Sequence, residues 1–248
     1  MRKKVIEVRN LVKKFGNFTA NDNLNFDVYE GEIFGFLGSN GAGKTTAIRI
    51  LSGLSAPTSG QALVAGFKAG TQAEQIKKNI GYMCQKFSLY EDLTIKENIT
   101  LYGGIYGLTG VQITERRKKL LEKLNFCEYE NKLIASLPLG LRQKLSFLIA
   151  MLHEPGIIFL DEPTGGVDPI TRRQFWEMIY ETAALGITIF VTTHYMDEAE
   201  YCDRVSIMNE GRIEALDTPG NLKQKYNAGS IEEVFIKIAR PAKNTIAV

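Results

Sequence analysis

The segment GSNGAGKT, from Gly38 to Thr45, constrains the fold of this 248-residue chain more than any other feature. It matches the pattern G-x-x-x-x-G-K-[ST], in which glycines let the backbone curl so that successive N–H groups point inward. An apolar strand pattern precedes it and a helical pattern follows it, so the positive end of a helix dipole adds to these N–H groups. The segment therefore predicts a cradle for a polyphosphate, with Lys44 near the β- and γ-phosphates and the Thr45 hydroxyl available to Mg²⁺. A glycine-rich turn with an incidental lysine is the alternative interpretation.

A second group of polar residues follows an apolar strand pattern in IIFLDEPTGGVDP, residues 157–169. Asp161 stands at the end of the strand, where its carboxylate can reach a Mg²⁺ held by Thr45. Glu162 points elsewhere and can accept a proton from water that attacks a γ-phosphate. On its own, such a pair is as typical of an ordinary turn at a strand end. Together with the phosphate-binding pattern, it favours the catalytic interpretation.

Composition and charge exclude several classes of protein. The chain has 30 Lys and Arg against 28 Asp and Glu, so it lacks the strong basic excess of a nucleic-acid binder. Its three cysteines are far apart, and we expect neither a disulfide framework nor a zinc site. The segment MRKKVIEVRN lacks the apolar run of a signal peptide, and no stretch approaches the roughly 18 apolar residues of a transmembrane helix. We therefore expect that any function at a membrane needs a second chain that crosses it.

The hydrophobic pattern predicts an α/β chain in which strands alternate with helices. VIEVRNL and Leu24–Val28 alternate apolar and polar residues and predict two half-buried, antiparallel strands. From Phe87 to about Leu137 the pattern is helical, with Thr94 and Glu97 fitting a capping box, and it predicts a helical insertion in the core. The other predicted elements are strands at Glu32–Gly38, Ile80–Gln85, Ile157–Leu160 and ITIFVTT, a helix from Asp168 to near Gly186, a hairpin turning at Glu210 and Gly211, and a helix at Ser230–Ala239.

These motifs, in this order, resemble the nucleotide-binding subunit of ABC transporters over nearly all of the chain from residue 4 to about 225. GSNGAGKTT resembles the Walker A loop, and IIFLDEP resembles Walker B. The resemblance implies an α/β P-loop NTPase core with a mixed parallel sheet, an N-terminal antiparallel β subdomain and an inserted α-helical subdomain. It implies a single nucleotide-binding domain at 1–240, with the helical subdomain at about 87–150, and a C-terminal tail at 241–248. The nucleotide contacts that it implies in the Walker A loop are Gly38, Ser39, Asn40, Gly41, Ala42, Gly43, Lys44, Thr45 and Thr46.

Four residues outside these two loops also match motifs of the family. Gln85 resembles the Q-loop glutamine, which contacts Mg²⁺ or water and senses the membrane partner, and Asp168 in GGVDP resembles the D-loop aspartate. His194 in VTTHYMDEA resembles the switch histidine that contacts the γ-phosphate, and Phe15 resembles the aromatic that stacks on adenine. A core aromatic, a solvated glutamine and a structural histidine are the alternatives. The implied catalytic residues are Glu162, His194, Gln85 and Lys44, and the implied Mg²⁺ ligands are Thr45, Gln85 and Asp161.

The segment LPLGL, residues 137–141, stands where the family usually carries the signature L-S-G-G-Q at a helix start. There the signature of one subunit closes over the ATP held by the Walker A loop of another. Pro138 replaces the serine and Leu139 the first glycine, whereas Gly140 remains as an implied nucleotide contact. Losing one hydroxyl bond to a charged phosphate should cost about 1.5–3 kcal/mol. An active variant, a weak half-site paired with a different subunit, and an inactive site remain open, although the pattern is similar to ABC-2-type exporters, which favours the first.

The resemblance implies an ATP-binding and ATP-hydrolysing subunit that uses ATP and Mg²⁺ and dimerises around them to drive export. Its implied partners are a separate integral-membrane permease and a second nucleotide-binding subunit, with a homodimer favoured over a heterodimer and no nucleic acid expected. The implied location is peripheral, on the cytoplasmic face of the cell membrane. The alternatives are a soluble ATPase of this type in DNA or ribosome function, and a weakly catalytic regulatory subunit of a heterodimeric transporter.

Overall fold

A computed structural model describes residues 2–85, 89–124 and 126–239 of the chain. A six-stranded sheet with the order β10-β9-β3-β8-β7-β6 forms the centre. All neighbouring strands in it run parallel except the β9–β10 hairpin. Its strands are β3 (Ile33–Gly38), β6 (Ile80–Met83), β7 (Ile157–Asp161), β8 (Thr188–Thr193), β9 (Arg204–Asn209) and β10 (Arg212–Asp217).

A second sheet is antiparallel and has the strand order β2-β1-β4-β5. It confirms the antiparallel N-terminal sheet expected from sequence. The short strands after the phosphate-binding motif were not predicted, because they lack clear alternation. The four strands are β1 (Lys4–Phe15), β2 (Phe18–Tyr29), β4 (Ser59–Val64) and β5 (Phe67–Lys68).

Eight α-helices are present in the described residues, and two of them, α2 and α7, were not predicted. They are α1 (Lys44–Leu51), α2 (Ala73–Asn79), α3 (Ile95–Ile105), α4 (Gly110–Leu124), α5 (Leu139–Ala150), α6 (Pro169–Ala184), α7 (Pro219–Lys225) and α8 (Ile231–Ala239). None of the helices in the described part of the chain is both long and apolar enough to cross a bilayer.

The central sheet is buried on both faces. Every residue of β3, β7 and β8 is buried, as expected for parallel strands covered by other layers. One face packs with α1 and the antiparallel sheet through an aromatic group in which Phe34 stacks on Phe26, with ring centroids 5.7 Å apart. The other face packs with α5, α6 and α8. The mixed α/β core expected from sequence is therefore confirmed.

A third apolar cluster joins α3, α4 and α5. The capping box of α3 is confirmed, because Glu97 N donates to Thr94 Oγ1 at 3.2 Å and Thr94 N donates to the Glu97 carboxylate at 2.8 Å. Helix α5 contributes Leu145 and Ile149 to this cluster and Phe147 and Leu148 to the cluster on the central sheet, so it connects the two clusters. The predicted start of the insertion at Phe87 and the predicted tail at 241–248 lie outside the described residues.

The chain turns between α5 and β7, in the segment that includes His153. Helix α5 ends at Ala150, and Glu154 before Pro155 has a φ of 58°, so the chain turns before entering β7. A residue before proline is disfavoured in the helical conformation, so α5 does not continue through Glu154 to Pro155. The His153 ring stacks on Tyr106 with centroids 4.0 Å apart, and burial lowers its pKa. This packing gives His153 a structural role.

The sheet order brings the functional loops to one edge. Leu37 pairs with Thr193 across β3 and β8, and Asp161 pairs with Thr192 across β7 and β8. Parallel strands end at the same edge, so the phosphate-binding loop, the carboxylate pair and His194 leave the sheet side by side.

Candidate active site

The phosphate-binding loop can be formed only with glycine at Gly43. This residue has a φ of 102°, and a Cβ placed on it would lie 2.3 Å from the carbonyl oxygen of Ala20. The Asn21 amide donates a hydrogen bond of 3.0 Å to the Gly43 carbonyl and fixes the loop to β2. Helix α1 begins at the next residue, so its first N–H groups point into the loop.

Lys44 is enclosed by its own loop. Its Nζ donates to the carbonyl oxygens of Gly38 at 2.7 Å and Ser39 at 3.1 Å, and it lies 3.5 Å from a carboxylate oxygen of Glu162. Burial lowers the pKa of Lys44, and the carboxylate of Glu162 acts in the opposite direction. The ammonium group is therefore desolvated and held where a phosphate in the loop can reach it.

Asp161 and Glu162 diverge at the end of β7. Asp161 is 1% exposed, and its carboxylate accepts a 2.6 Å hydrogen bond from Thr192 Oγ1. Burial raises the pKa of Asp161 above its usual value, and the hydrogen bond from Thr192 opposes this effect. Glu162 has a φ of 50°, which turns its side chain away from Asp161 and towards the phosphate-binding loop. Such a conformation in a residue other than glycine stores about 1–3 kcal/mol of strain.

Glu162 is the point at which three distant segments meet. Gln85 Nε2 donates to its Oε2 at 2.9 Å, and Lys44 lies on its Oε1 side. His194 Nδ1 lies 3.0 Å from Oε2, but the direction of its ring nitrogen does not fit a hydrogen bond. The ammonium of Lys44, the amide of Gln85 and the imidazole of His194 therefore surround the Glu162 carboxylate next to the phosphate-binding loop.

The donor set beside the loop suits Mg²⁺. The Thr45 hydroxyl, the Asp161 carboxylate and the Gln85 amide all supply oxygen, which is the ligand type that this ion prefers. Thr45 and Gln85 line the same cavity. The fit therefore rests on residues from three different elements.

A cavity of about 400 Å³ opens over the phosphate-binding loop. It includes Gln85 and Glu162 but not Phe15, which is 56% exposed and carries Lys13 Nζ 5.1 Å from its ring centre. Phe18, its partner across the β1–β2 hairpin, lines the cavity instead and was not singled out from sequence. The sequence could have identified Phe18 as a candidate, because a hairpin turn of two residues places Phe15 and Phe18 opposite each other. The lining residues are Phe18, Ala20, Asn40, Gly41, Gly43, Lys44, Thr45, Thr46, Gln85 and Glu162.

Gly140 lies at a second cavity of about 360 Å³, which shares no described lining residue with the first. It stands in the first turn of α5 and faces α6, where Thr171 Oγ1 donates to Asp168 at 2.6 Å. Asp168 also caps α6 by accepting from the N–H groups of Ile170 and Thr171. The structure therefore separates Gly140 and Asp168 from the phosphate-binding loop of the same chain.

Arg142 does not provide a free charge beside Gly140. Its guanidinium donates to the carbonyl oxygens of Leu137 at 2.8 Å and Ala135 at 3.1 Å, and it pairs with Glu91 at 2.8 Å. These bonds hold the loop that precedes α5. Its contacts therefore give Arg142 a structural role.

The sequence matches the family model described as ABC transporter over residues 21–165. The chain belongs to the ABC transporter family. It is 48% identical, over 94% of its length, to the probable multidrug ABC transporter ATP-binding protein YbhF of Escherichia coli, but spans only 41% of that relative. It is 34% identical, over 98% of its length, to the Nod factor export ATP-binding protein I of Cupriavidus metallidurans and covers 80% of it.

Solved structures of ABC cassettes share the fold. An ATP-binding subunit of an ABC transporter superposes with a TM-score of 0.85 at 29% identity, covering 94% of this chain and 99% of that one. A dimeric, post-hydrolysis ATP-binding cassette with bound ADP and Pi superposes with a TM-score of 0.77 at 25% identity, covering 86% and 98% of the two chains. The chain is therefore an ATP-binding cassette of the ABC family, and the expected fold class is confirmed.

Proposed function

We propose that the chain binds and hydrolyses ATP as the nucleotide-binding subunit that drives an ABC exporter. The observation that carries this proposal is the convergence of Gln85, Lys44 and His194 on Glu162, beside a phosphate-binding loop. A carboxylate so placed can act as general base for water, and the surrounding groups can stabilise the charge on a transferred phosphoryl group.

The residues divide the chemistry between them. The backbone of residues 38–46 binds the phosphates, and Lys44 supplies the charge on the β/γ side. Thr45, Gln85 and Asp161 would hold Mg²⁺, which when bound neutralises charge on the β- and γ-phosphates. Glu162 orients the attacking water and accepts its proton. His194 contacts the γ-phosphate from the neighbouring strand end, and Phe15 or its hairpin partner Phe18 stacks on the adenine.

The second subunit completes the site in this proposal. Gly140 opens onto a cavity separate from the phosphate-binding loop, so its N–H group would meet the ATP of another copy rather than its own. A related cassette is described as a dimer in a post-hydrolysis state. The first N–H groups of α5 remain available for phosphate even though Pro138 and Leu139 replace the usual residues. We favour a homodimer, with the variant signature active.

A groove of about 530 Å³ suits a short helix of a membrane permease. It lies between α2, β6 and α3 and includes Cys84, next to Gln85. Leu54 and Ile105 line it and are 49% and 64% exposed, and Glu74, Lys77 and Lys78 also line it, with Lys77 paired to Glu74 at 2.8 Å. A permease bound there would hold the chain at the cytoplasmic face of the cell membrane and would couple to the site through the segment at Gln85. A relative named as a Nod factor export ATP-binding protein and one named as a probable multidrug ABC transporter ATP-binding protein support an export role.

The first test is Mg²⁺-dependent ATP hydrolysis by the purified chain across a range of protein concentrations. We expect the rate per subunit to rise with concentration and to fall by about 10²–10⁴-fold in Glu162→Gln, since general-base catalysis contributes a factor of that size. The matched control Glu122→Gln removes a carboxylate that is 55% exposed on α4, outside the site. A rate that never exceeds that of Glu162→Gln would contradict the homodimer and would support a subunit that needs its permease or a partner with a standard signature.

A further inference from the structure

Glu198 has a fully buried carboxylate that receives two side-chain hydrogen bonds. It lies in the short 3₁₀ helix Asp197–Tyr201 and is 0% exposed. Thr164 Oγ1 donates a short hydrogen bond to Oε1, and Thr193 Oγ1 donates to Oε2 at 2.6 Å. A buried carboxylate needs such donors, because each lone pair left unpaired costs free energy.

The two threonines flank the reacting groups of the proposed ATPase site. Thr164 follows Glu162 by two residues, and Thr193 directly precedes His194. Thr193 Oγ1 also accepts a 3.0 Å hydrogen bond from Tyr195 N, which closes the turn that contains His194. One carboxylate therefore connects the loop after β7 to the loop after β8.

Arg172 links the same carboxylate to α6. Its Nε lies 3.6 Å from Glu198 Oε1, which is ion-pair distance without hydrogen-bond alignment, and its guanidinium lies 4.2 Å from the centre of the Tyr195 ring. Arg172 N donates to the Asp168 carbonyl at 3.0 Å in the first turn of α6. The carboxylate thus connects three segments of the site: the loop after β7, the loop after β8 and the start of α6.

We propose that Glu198 is a positioning residue that sets the spacing between Glu162 and His194. This inference rests on the proposed ATPase function. Glu162 is held in a left-handed backbone conformation, and such a conformation persists only when the surroundings fix it. Releasing Thr164 or Thr193 from Glu198 lets the Glu162 and His194 loops move apart. The phosphate-binding loop makes none of the bonds described here, so ATP binding should be retained.

The test compares isosteric and conservative variants of the two threonines. Thr164→Val and Thr193→Val remove one donor each without changing side-chain volume, and Thr164→Ser and Thr193→Ser keep the hydroxyl. We expect kcat to fall about 10–100-fold in the Val variants, with KM for ATP within about twofold, since small displacements of reacting groups cost factors of that size. The Ser variants should recover most of the lost kcat. Thr182→Val is the control, because Thr182 is equally buried but donates only to the Met178 carbonyl within α6 and to Met151.

Folding is checked by thermal melting and by ATP titration without Mg²⁺. Should a Val variant fail to fold, Glu198→Gln keeps the volume and can bond both hydroxyls while removing the charge that faces Arg172. We expect a smaller loss of kcat in this variant, with KM again unchanged. Wild-type kcat in the Val variants or in Glu198→Gln, or a loss that serine does not restore, would overturn the positioning role alone. Absence of hydrolysis by the wild-type chain at every protein concentration would overturn the proposed homodimeric ATPase and this inference with it.

Discussion

Asp161 carries a desolvation cost because its carboxylate is almost completely buried at the end of β7. Burial is the largest influence on its pKa and raises it, although the Thr192 hydroxyl donates a hydrogen bond to the carboxylate. A group whose pKa is higher in the folded state than in the unfolded state destabilises the fold once both states are ionised. Functional residues commonly retain such costs when their charge is needed for ligand binding.

Asp161→Asn should therefore be more stable than the wild-type chain at neutral pH without nucleotide. We expect a gain of roughly 1 kcal/mol, which for a chain of this size corresponds to about 2–4 °C in Tm. The gain should shrink as the pH falls from above the folded pKa of Asp161 towards the usual aspartate value of 3.8, because the wild-type carboxyl then becomes neutral as well. Urea unfolding of both proteins across this pH range measures the difference in their free energies of unfolding.

Asp217→Asn is the control, because this substitution should change stability at neutral pH in the opposite direction. Hydrogen bonds from Asn221 and from the N–H of Thr218 hold the pKa of Asp217 below its usual value, so its ionised form stabilises the fold at neutral pH. Replacing it should lower stability at pH 7 and should have a smaller effect at low pH. A wild-type chain more stable than Asp161→Asn at pH 7 would contradict the account of Asp161.

At the scale of elements, the start of α5 lacks a side-chain cap. Pro138 occupies the N-cap position with φ −54° and ψ 150°, and no side chain there accepts from the first turn. A serine at an N-cap contributes about 0.5–2 kcal/mol relative to a residue that cannot accept a hydrogen bond. Replacing Pro138 by serine also makes the unfolded chain more flexible, which costs about 0.4–1 kcal/mol and offsets part of this gain.

Pro138→Ser should thus raise stability by up to about 1 kcal/mol and strengthen ATP-dependent dimerisation, through a hydroxyl at the helix start. Denaturant unfolding measures the change in stability. Sedimentation in the presence of ATP, with Glu162→Gln added to both chains, measures the change in dimerisation. Leu139→Ser places the hydroxyl one residue inside the helix and should give neither gain. Unchanged dimerisation in Pro138→Ser would mean that the loop binds no phosphate at this position.

Helix α5 also packs closely against α6 at Gly140. A Cβ added there would lie 2.5 Å from Cγ2 of Thr171, and that side chain cannot rotate freely because its Oγ1 is bonded to Asp168. Gly140→Ala should therefore lose about 1 kcal/mol, after allowing for the helix preference of alanine, because α5 must shift or the charged hydrogen bond must break.

The double variant Gly140→Ala with Thr171→Ser tests this cause. Serine keeps the hydroxyl that bonds Asp168 and removes the methyl group that the alanine would meet. Most of the lost stability should return, and the coupling between the two sites should appear in a double-mutant cycle of thermal melts. Additive effects of the two substitutions would show that the clash is not responsible.

At the scale of the whole molecule, the groove and the cavity over the phosphate-binding loop are lined by adjacent residues, Cys84 and Gln85. Ile105→Asp places a charge in the exposed apolar part of the groove. We expect it to move the chain from the membrane fraction to the soluble fraction of cells, because an apolar contact with a permease helix would be lost. ATP hydrolysis by the purified variant should stay close to that of the wild-type chain.

Val111→Asp is the matched control, since Val111 is 78% exposed on α4 and does not line the groove. It should leave the distribution between the fractions unchanged. Equal loss of membrane association in both variants would indicate a general effect of surface charge, and no loss in Ile105→Asp would place the docking surface elsewhere.

The sequence by itself determined the features that depend on neighbours along the chain. The glycines of the phosphate-binding loop, the capping box at Thr94 and the buried run ending in Asp161 follow from backbone freedom, short-range hydrogen bonds and hydrophobic period. Because each of these acts over only a few residues, all were predictable. Strands β4 and β5 and helices α2 and α7 were missed, because their short segments lack a clear period.

Only the tertiary structure decided how these local features meet. The order β3-β8-β7-β6 places Lys44, His194 and Gln85 around Glu162, and the packing of α5 on α6 turns Gly140 towards a separate cavity. The structure also assigned Arg142 to the loop before α5 and showed that Glu198 connects the Glu162 and His194 loops. Contacts between distant residues depend on strand order and on how side chains fill the space between elements, which no local pattern encodes.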